Sequence, residues 1–367
     1  MKFTCDGLDL SDAVNKVSKA CAINTTLSIL EYVKVTAHND TVSLLASDGE
    51  ISIKNKIKAD ILEEGEICVP GKLFSEYLKT LESETISIET TEKNLIIRYR
   101  GYNHLKLNVL SAEDFPEIDE NIRDDYFVIE NKFFKEMVVG SIFCCAQDDS
   151  RPILKGCLIE IKDDFVTITA LDGFRMAVIR GKTVGGSGSL RIICPARTLS
   201  EITKFIESDE GVLSVYVKSG MMLVSIGETV ITSRLYQGDF IRHEDITPND
   251  YETETDIEKQ ELMNSIGRAG VLIKGEKQNM IVFDIKNGFI NVSSISEAGN
   301  MNDRVRCEQR GRELKIAMNS KYIIDAVKSI KEDQLTIKYN TPTSPFVISG
   351  KENRENYYLI LPVRMGN

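Results

Sequence analysis

Apolar residues in this chain change their spacing in a fixed order, and the order recurs three times. The segments 67–81 (ICVPGKLFSEYLKTL), 192–206 (IICPARTLSEITKFI) and 315–330 (KIAMNSKYIIDAVKSI) each predict a short apolar strand, a two-residue turn and an amphipathic helix. Aligning Lys72, Arg197 and Lys321 gives spacings of 125 and 124 residues. Alternating strands precede each segment, at 41–53, 165–179 and 288–300. Asp48-Gly49 and Asp172-Gly173, again 124 apart, mark turns in the first two. An earlier helical pattern stands at 10–22, 131–146 and 259–273, and more strands follow at 85–100, 212–226 and 334–350. Solenoid units run only roughly 20–50 residues, so this period predicts repeated domains. The expected fold is α+β, with three tandem domains at 1–122, 123–248 and 249–367. Two polar, acidic stretches, 119–126 and 247–256, are the expected linkers.

The second helix of each unit has two distinct faces. Phe74, Tyr77, Leu78 and Leu81 recur at helical spacing in the first copy, as do Leu199, Ile202, Phe205 and Ile206 in the second. Tyr322, Ile323, Ala326, Val327 and Ile330 do so in the third. Opposite them, bases recur seven apart, two helical turns: Lys72/Lys79, Arg197/Lys204 and Lys321/Lys328. The first helices add Lys16, Lys19, Lys132 and Lys135, whereas Lys259 and Arg268 of the third copy point to opposite faces. Two readings stay open. Glu76, Glu201 and Asp325 follow the first base of each pair by four residues, as in a salt-bridged, solvated face. A basic lining built from many helices would instead hold DNA phosphates without reading bases.

Composition narrows the classes. The 367 residues carry a net charge of −11, 42% hydrophobic and 28% charged residues, an ordinary globular balance that excludes an overall polycation. No apolar run reaches the ~18 residues of a membrane span, and the first residues lack a signal-peptide pattern, so a cytoplasmic protein is expected. Eight scattered cysteines without CxxC spacing read as reduced core thiols, Cys144-Cys145 included. His38, His104 and His243 form no ligand spacing. Gly181-Lys182-Thr183 imitates a phosphate loop, but Met176 stands where its first glycine belongs, and 185–188 (GGSG) reads as a flexible loop. Asp148-Asp149, with no third carboxylate nearby in sequence to complete a metal site, reads as a loop. No catalytic constellation, metal site or cofactor is implied.

Four blocks carry a resemblance: 150–156 (SRPILKG), 170–177 (ALDGFRMA), 232–235 (TSRL) with 238–240 (GDF), and 358–365 (YLILPVRM). Together with the triplication, they resemble the beta subunit of bacterial DNA polymerase III, the sliding-clamp family, over essentially the whole chain. The resemblance implies a head-to-tail homodimeric ring of DNA-clamp domains, helices inside and sheets outside, encircling double-stranded DNA without catalysis. It implies a dimer contact through Leu105 and Leu107 in the first domain and Val271 and Leu272 in the third. It also implies a pocket for short apolar peptides of the replicative polymerase, the clamp loader and repair proteins. Its walls would be Leu154, Leu171, Gly173, Phe174, Arg175, Met176, Ile241, Ile246, Asn319, Tyr322, Leu361, Pro362, Val363, Arg364 and Met365. Phe174, Ile241 and Asp245 depart from the family pattern and bear on peptide preference. The alternatives are a clamp-like paralogue or scaffold without a replication role, and an enzyme using a carboxylate or cysteine site.

Overall fold

The structure, a computed structural model, describes residues 1–23, 25–81, 84–101, 103–118, 125–186, 188–275 and 279–364. Its helices are α1 (Gly7–Val17), α2 (Gly71–Leu78), α3 (Asn131–Ser141), α4 (Ala196–Phe205), α5 (His243–Ile246), α6 (Lys259–Leu272) and α7 (Ser320–Ser329). All but α5 continue directly from a strand, without the expected two-residue turn. The reason lies in the caps, where the last strand residue keeps extended angles and serves as N-cap. Asp6 accepts from Leu8 N and Asp9 N, Glu258 from Glu261 N, and Asn319 from Lys321 N and Tyr322 N.

The triplication is visible in the backbone. Asn39, Asp163 and Asn287 adopt left-handed φ values of 56°, 55° and 52° at equivalent hairpin turns, 124 residues apart in each step. Asn and Asp tolerate this conformation through local side-chain hydrogen bonding. Gly49 and Gly173, after the two repeated aspartates, share φ 91°.

Two compact units divide the chain. The first comprises Met1–Asn131, Val184–Ser187 and Glu201–Leu235. Its larger sheet runs, by neighbours, through Gly185–Gly186, Asp125–Glu130, Val212–Lys218, Met221–Ile226, Thr229–Arg234, Ile51–Lys58, Thr41–Ser47, Tyr32–His38 and Gly65–Pro70. Thr229–Arg234, the last strand of the second repeat, pairs antiparallel with Ile51–Lys58 of the first, placing Ile231 opposite Ile53. Both side chains are fully buried, and Asn55 Nδ2 donates to Thr229 Oγ1 at 2.8 Å beside them. A smaller sheet ends at the strand Asn103–Asn108. Helix α1 packs across the Thr41–Ser47 and Ile51–Lys58 strands and against α2.

The second unit comprises Lys132–Thr183, Gly188–Ser200 and Tyr236–Asn367. Here Arg175–Lys182 pairs antiparallel with Tyr357–Ile360, so the fourth strand of the second repeat meets the last strand of the third repeat. Tyr358 lies opposite Ala177, both buried. The long strand Gly299–Gly311 pairs through its first part with Phe289–Ser296 and through its end with Thr253–Glu258.

Two expectations need correction. The stretch 247–256 is not all linker, because Thr253–Glu258 is an inner strand flanked by Gln334–Tyr339 and Gly299–Gly311. Its acidic residues are paired rather than solvated: Asp256 meets Arg310 at 3.0 Å and Lys351 at 3.3 Å, and Glu254 meets Arg310 at 2.9 Å. The GGSG stretch is likewise not all loop, since Gly185–Gly186 pairs with Phe127 and Val128. A Cβ on Gly186 would lie 2.9 Å from Tyr126 O, so glycine allows this close approach. All eight cysteines are free, as expected, and seven are buried, with Cys145 Sγ and Cys157 Sγ 3.4 Å apart.

Removing Ile53 from its junction should leave a cavity against Ile231. Ile53→Ala is expected to cost about 2–5 kcal/mol and to lower the first calorimetric unfolding transition by several degrees. An unchanged transition would mean that this junction contributes little to the unit.

Candidate functional site

The residues carrying the strongest chemistry lie in the second unit, around a four-residue turn. Gly173, in the left-handed region, lets the chain reverse between Leu171 and Arg175. Asp172 Oδ1 accepts from Phe174 N at 2.9 Å and Arg175 N at 3.0 Å, fixing the turn. Arg175 then points inward. Its Nε donates to Asp172 Oδ2 at 3.0 Å, Nη1 to Asp325 Oδ2 at 2.7 Å, and Nη2 to Phe143 O at 2.6 Å. The rings of Tyr322 and Phe143 lie 4.5 and 5.3 Å from Cζ. The Arg175 side chain is only 10% exposed. Burial opposes its charge, but the Asp325 and Asp172 carboxylates outweigh that and hold its pKa above the ordinary arginine value.

Around this hub the pocket residues assemble in layers. Leu154, Leu171 and Met176 are buried and form one apolar cluster with Leu158, Val178, Ile193, Phe240, Val347 and Leu359. This cluster is the floor. Above it Phe174 is 61% exposed, Ile241 40%, Ile246 39% and Leu361 37%, an apolar rim of the kind that marks binding sites. The carboxyl-terminal stretch crosses between the walls: Leu361 N donates to Phe174 O, and Val363 N donates to Ala317 O, each at 2.8 Å. Ala317 lies two residues before Asn319, the cap of α7, the helix that carries Tyr322. Pro362 is half-buried, Arg364 is exposed, and Met365 lies outside the described residues.

Helix α5 carries the Ile246 lip, and polar contacts pin it. Tyr357 OH sits 3.1 Å from His243 Nδ1 and 2.9 Å from Thr247 Oγ1, while Thr247 Oγ1 donates to His243 O at 2.8 Å. Beyond α5 the same unit has a cleft of about 740 Å³, lined by Phe165, Arg180, Arg191, His243 and Tyr357 among others.

The basic helix positions divide into two classes. Lys72, Lys79, Lys132, Arg197, Lys204, Lys321 and Lys328 are exposed, and Lys135 is half-buried. Lys204 pairs with Glu201 at 2.7 Å, in keeping with the salt-bridge reading. Asp325 does not follow that reading, because its carboxylate is turned to Arg175. On α1, Lys16 is held by Asp12 at 2.7 Å and Glu207 at 2.8 Å, and Lys19 lies 4.7 Å from the Phe205 ring centre. Burial works against the Lys16 charge, yet the two carboxylates raise its pKa.

Of the expected dimer contacts, Leu107 is buried in its own sheet, Leu105 and Leu272 are half-buried, and Val271 is 76% exposed. Sequence reasoning missed Asp172, Asp325, Phe143 and Tyr357 as parts of the pocket. Asp325 carried a signal, a carboxylate on the helix bearing Tyr322, but four-residue spacing from Lys321 offered a local partner first. Among the described residues, no group of three or more His, Cys, Asp or Glu is arranged to hold a metal, and no helix is long and apolar enough to cross a membrane.

Comparison with known proteins places these features in context. Family models described as the N-terminal, central and C-terminal domains of the DNA polymerase III beta subunit match residues 1–119, 128–241 and 244–364. The "Beta sliding clamp" of Staphylococcus epidermidis is 29% identical over 374 residues, covering 99% of both chains. The DNA polymerase sliding clamp of Bacillus subtilis superposes with a TM-score of 0.96 at 27% identity, covering 100% of both chains. A putative DNA polymerase III beta subunit from Eubacterium rectale gives 0.95 at 30% identity, again with 100% coverage of both.

Tyr357→Phe keeps the ring and deletes the hydroxyl that pins α5, at about 1 kcal/mol per hydrogen bond. Faster amide hydrogen exchange over 241–247, with the rest of the unit unaffected, is the expected result. Unaltered exchange there would show that α5 is held by other contacts.

Proposed function

The chain belongs to the DNA polymerase III beta subunit family and acts as a non-catalytic DNA sliding clamp, and we propose how its surfaces divide that work. Three clamp domains, 1–122, 123–248 and 249–367, form half of a head-to-tail homodimeric ring, with helices towards the hole and sheets outside. The observation that carries this reading is a pattern of strand pairing. Twice within the chain, the fourth strand of one repeat pairs with the last strand of the next: Ile51–Lys58 with Thr229–Arg234, and Arg175–Lys182 with Tyr357–Ile360. One equivalent strand of each kind is left over, Gly299–Gly311 in the third repeat and Asn103–Asn108 in the first. A second copy of the chain supplies the missing partner for each. Contacts of this heterologous kind close once two three-domain chains meet.

The repeat also supplies a register. Ile53 and Ala177 correspond to Met301 at steps of 124 residues, and Ile231 and Tyr358 correspond to Leu105 at steps of 126 and 127. At the two internal junctions the corresponding residues are buried opposite one another. Leu105 and Met301 are only half-buried in the single chain, so pairing with a partner would remove both from water. Val271, exposed at the end of α6, adds apolar surface on the helix that packs against Gly299–Gly311. Leu107, which the resemblance put beside Leu105 in the contact, serves the core of its own sheet.

On the helix side, Lys72, Lys79, Lys132, Lys135, Arg197, Lys204, Lys321 and Lys328 supply positive charge to duplex DNA against the overall −11. Such contacts act through phosphates, independent of sequence, and break and re-form as the ring moves. Lys16 and Lys19 contribute less, since their side chains are engaged by Glu207, Asp12 and Phe205. The apolar rim of Phe174, Ile241, Ile246 and Leu361, over the Leu154, Leu171 and Met176 floor, takes short apolar peptides of the replicative polymerase, the clamp loader and repair proteins. No cofactor takes part.

Leu105→Asp combined with Met301→Asp should convert the dimer to a monomer in sedimentation velocity while each chain keeps its melting temperature. A persistent dimer would overturn the strand-pairing assignment. Replacing Lys72, Arg197 and Lys321 together by Glu should shorten retention on circular duplex DNA by about tenfold or more at moderate salt. Undiminished retention would leave those bases a merely solvated face.

A further inference from the structure

We propose that Asp325 is a positioning residue of the docking pocket, acting through Arg175; the inference rests on the docking reading above. Three elements converge on the Arg175 guanidinium: the Asp172 turn through Nε, the 3-10 turn Ile142–Cys144 after α3 through Phe143 O, and α7 through Asp325. These bonds hold the guanidinium inward, at 10% exposure. Asp172 is fully engaged, since its Oδ1 also serves two backbone N–H groups of its own turn. Asp325 thus supplies the hydrogen bond that ties this arginine to α7, where Tyr322 adds a ring contact.

That link spans the pocket. Phe174 and Met176 flank Arg175 on one wall, and Tyr322 and Asn319 stand on α7 at the other. The stretch 361–364 is tied to both walls, at Phe174 O and Ala317 O. The Arg175–Asp325 pair thus sets the distance between two walls that the carboxyl-terminal stretch bridges. Substituting Asp325 by Asn keeps the shape and removes the charge, which weakens a charge-assisted bond to a buried cation. The fold of α7 should survive, because Ile323, Ala326 and Val327 keep it buried on its sheet side.

The test measures binding of a fluorescein-labelled pentapeptide ending in Leu-Phe to the full-length protein by fluorescence anisotropy. Asp325→Asn is expected to weaken binding about tenfold with dimer and melting temperature retained. Asp325→Glu, which restores the carboxylate, is expected to recover most of the loss. In a cycle with Arg175→Gln, the double variant should bind no more weakly than Arg175→Gln alone, since one strut is being removed twice. A general loss of structure would move melting temperature and dimer together and would not be cancelled by Arg175→Gln. Binding by Asp325→Asn equal to that of the unsubstituted protein, or strictly additive losses, overturns this inference alone. No binding by the unsubstituted protein overturns the docking reading and this inference with it.

Discussion

The architecture depends on antiparallel pairing between the fourth strand of one repeat and the last strand of the next. Each pairing satisfies the backbone groups of two sheet edges at once, edges that would otherwise invite uncontrolled association. Ile53 against Ile231 and Ala177 against Tyr358 make these junctions part of the buried core. A chain of three such repeats necessarily ends with one unsatisfied edge of each kind. The proposed dimer makes the same interaction between copies, and on that reading oligomerisation follows from the repeat itself.

The second junction also builds the pocket. Because Arg175 opens the strand that pairs with Tyr357–Ile360, its turn and the chain end at Leu361 are brought together by backbone hydrogen bonds. The floor is ordinary core, shared among Leu154, Leu171, Met176 and Leu359. The proposed docking role rests on the exposed rim of Phe174, Ile241, Ile246 and Leu361. Helix α7 contributes to two surfaces, offering Lys321 and Lys328 to solvent and Tyr322 and Asp325 to Arg175. In the proposed division of surfaces, polymerase docking and DNA contact share this one structural element.

Much of this was legible in the chain because periodicity reports local geometry directly. The 124-residue step fixed equivalent turns, and Asn39, Asp163 and Asn287 adopt matching backbone angles there. Leu154, Leu171 and Met176 share one buried apolar cluster, while Phe174 and Leu361 stay exposed. The misreadings share one cause, which is that sequence spacing favours local partners. Asp325 was matched with Lys321 four residues away, whereas its partner Arg175 is 150 residues distant. The acidic 253–256 stretch looked like a solvated linker because Arg310 and Lys351, which neutralise it, come from other strands. Gly185 and Gly186 looked flexible, yet they let a neighbouring strand approach closely.

The most direct measurement of the central claim is disulfide trapping with Leu105→Cys and Met301→Cys in one chain, oxidised and run under denaturing, non-reducing conditions. The account predicts a species of twice the chain mass that forms only when both substitutions are present, because the two residues face one another across the copies. Its absence, with the double variant still dimeric in solution, would show that the chains meet through other strands.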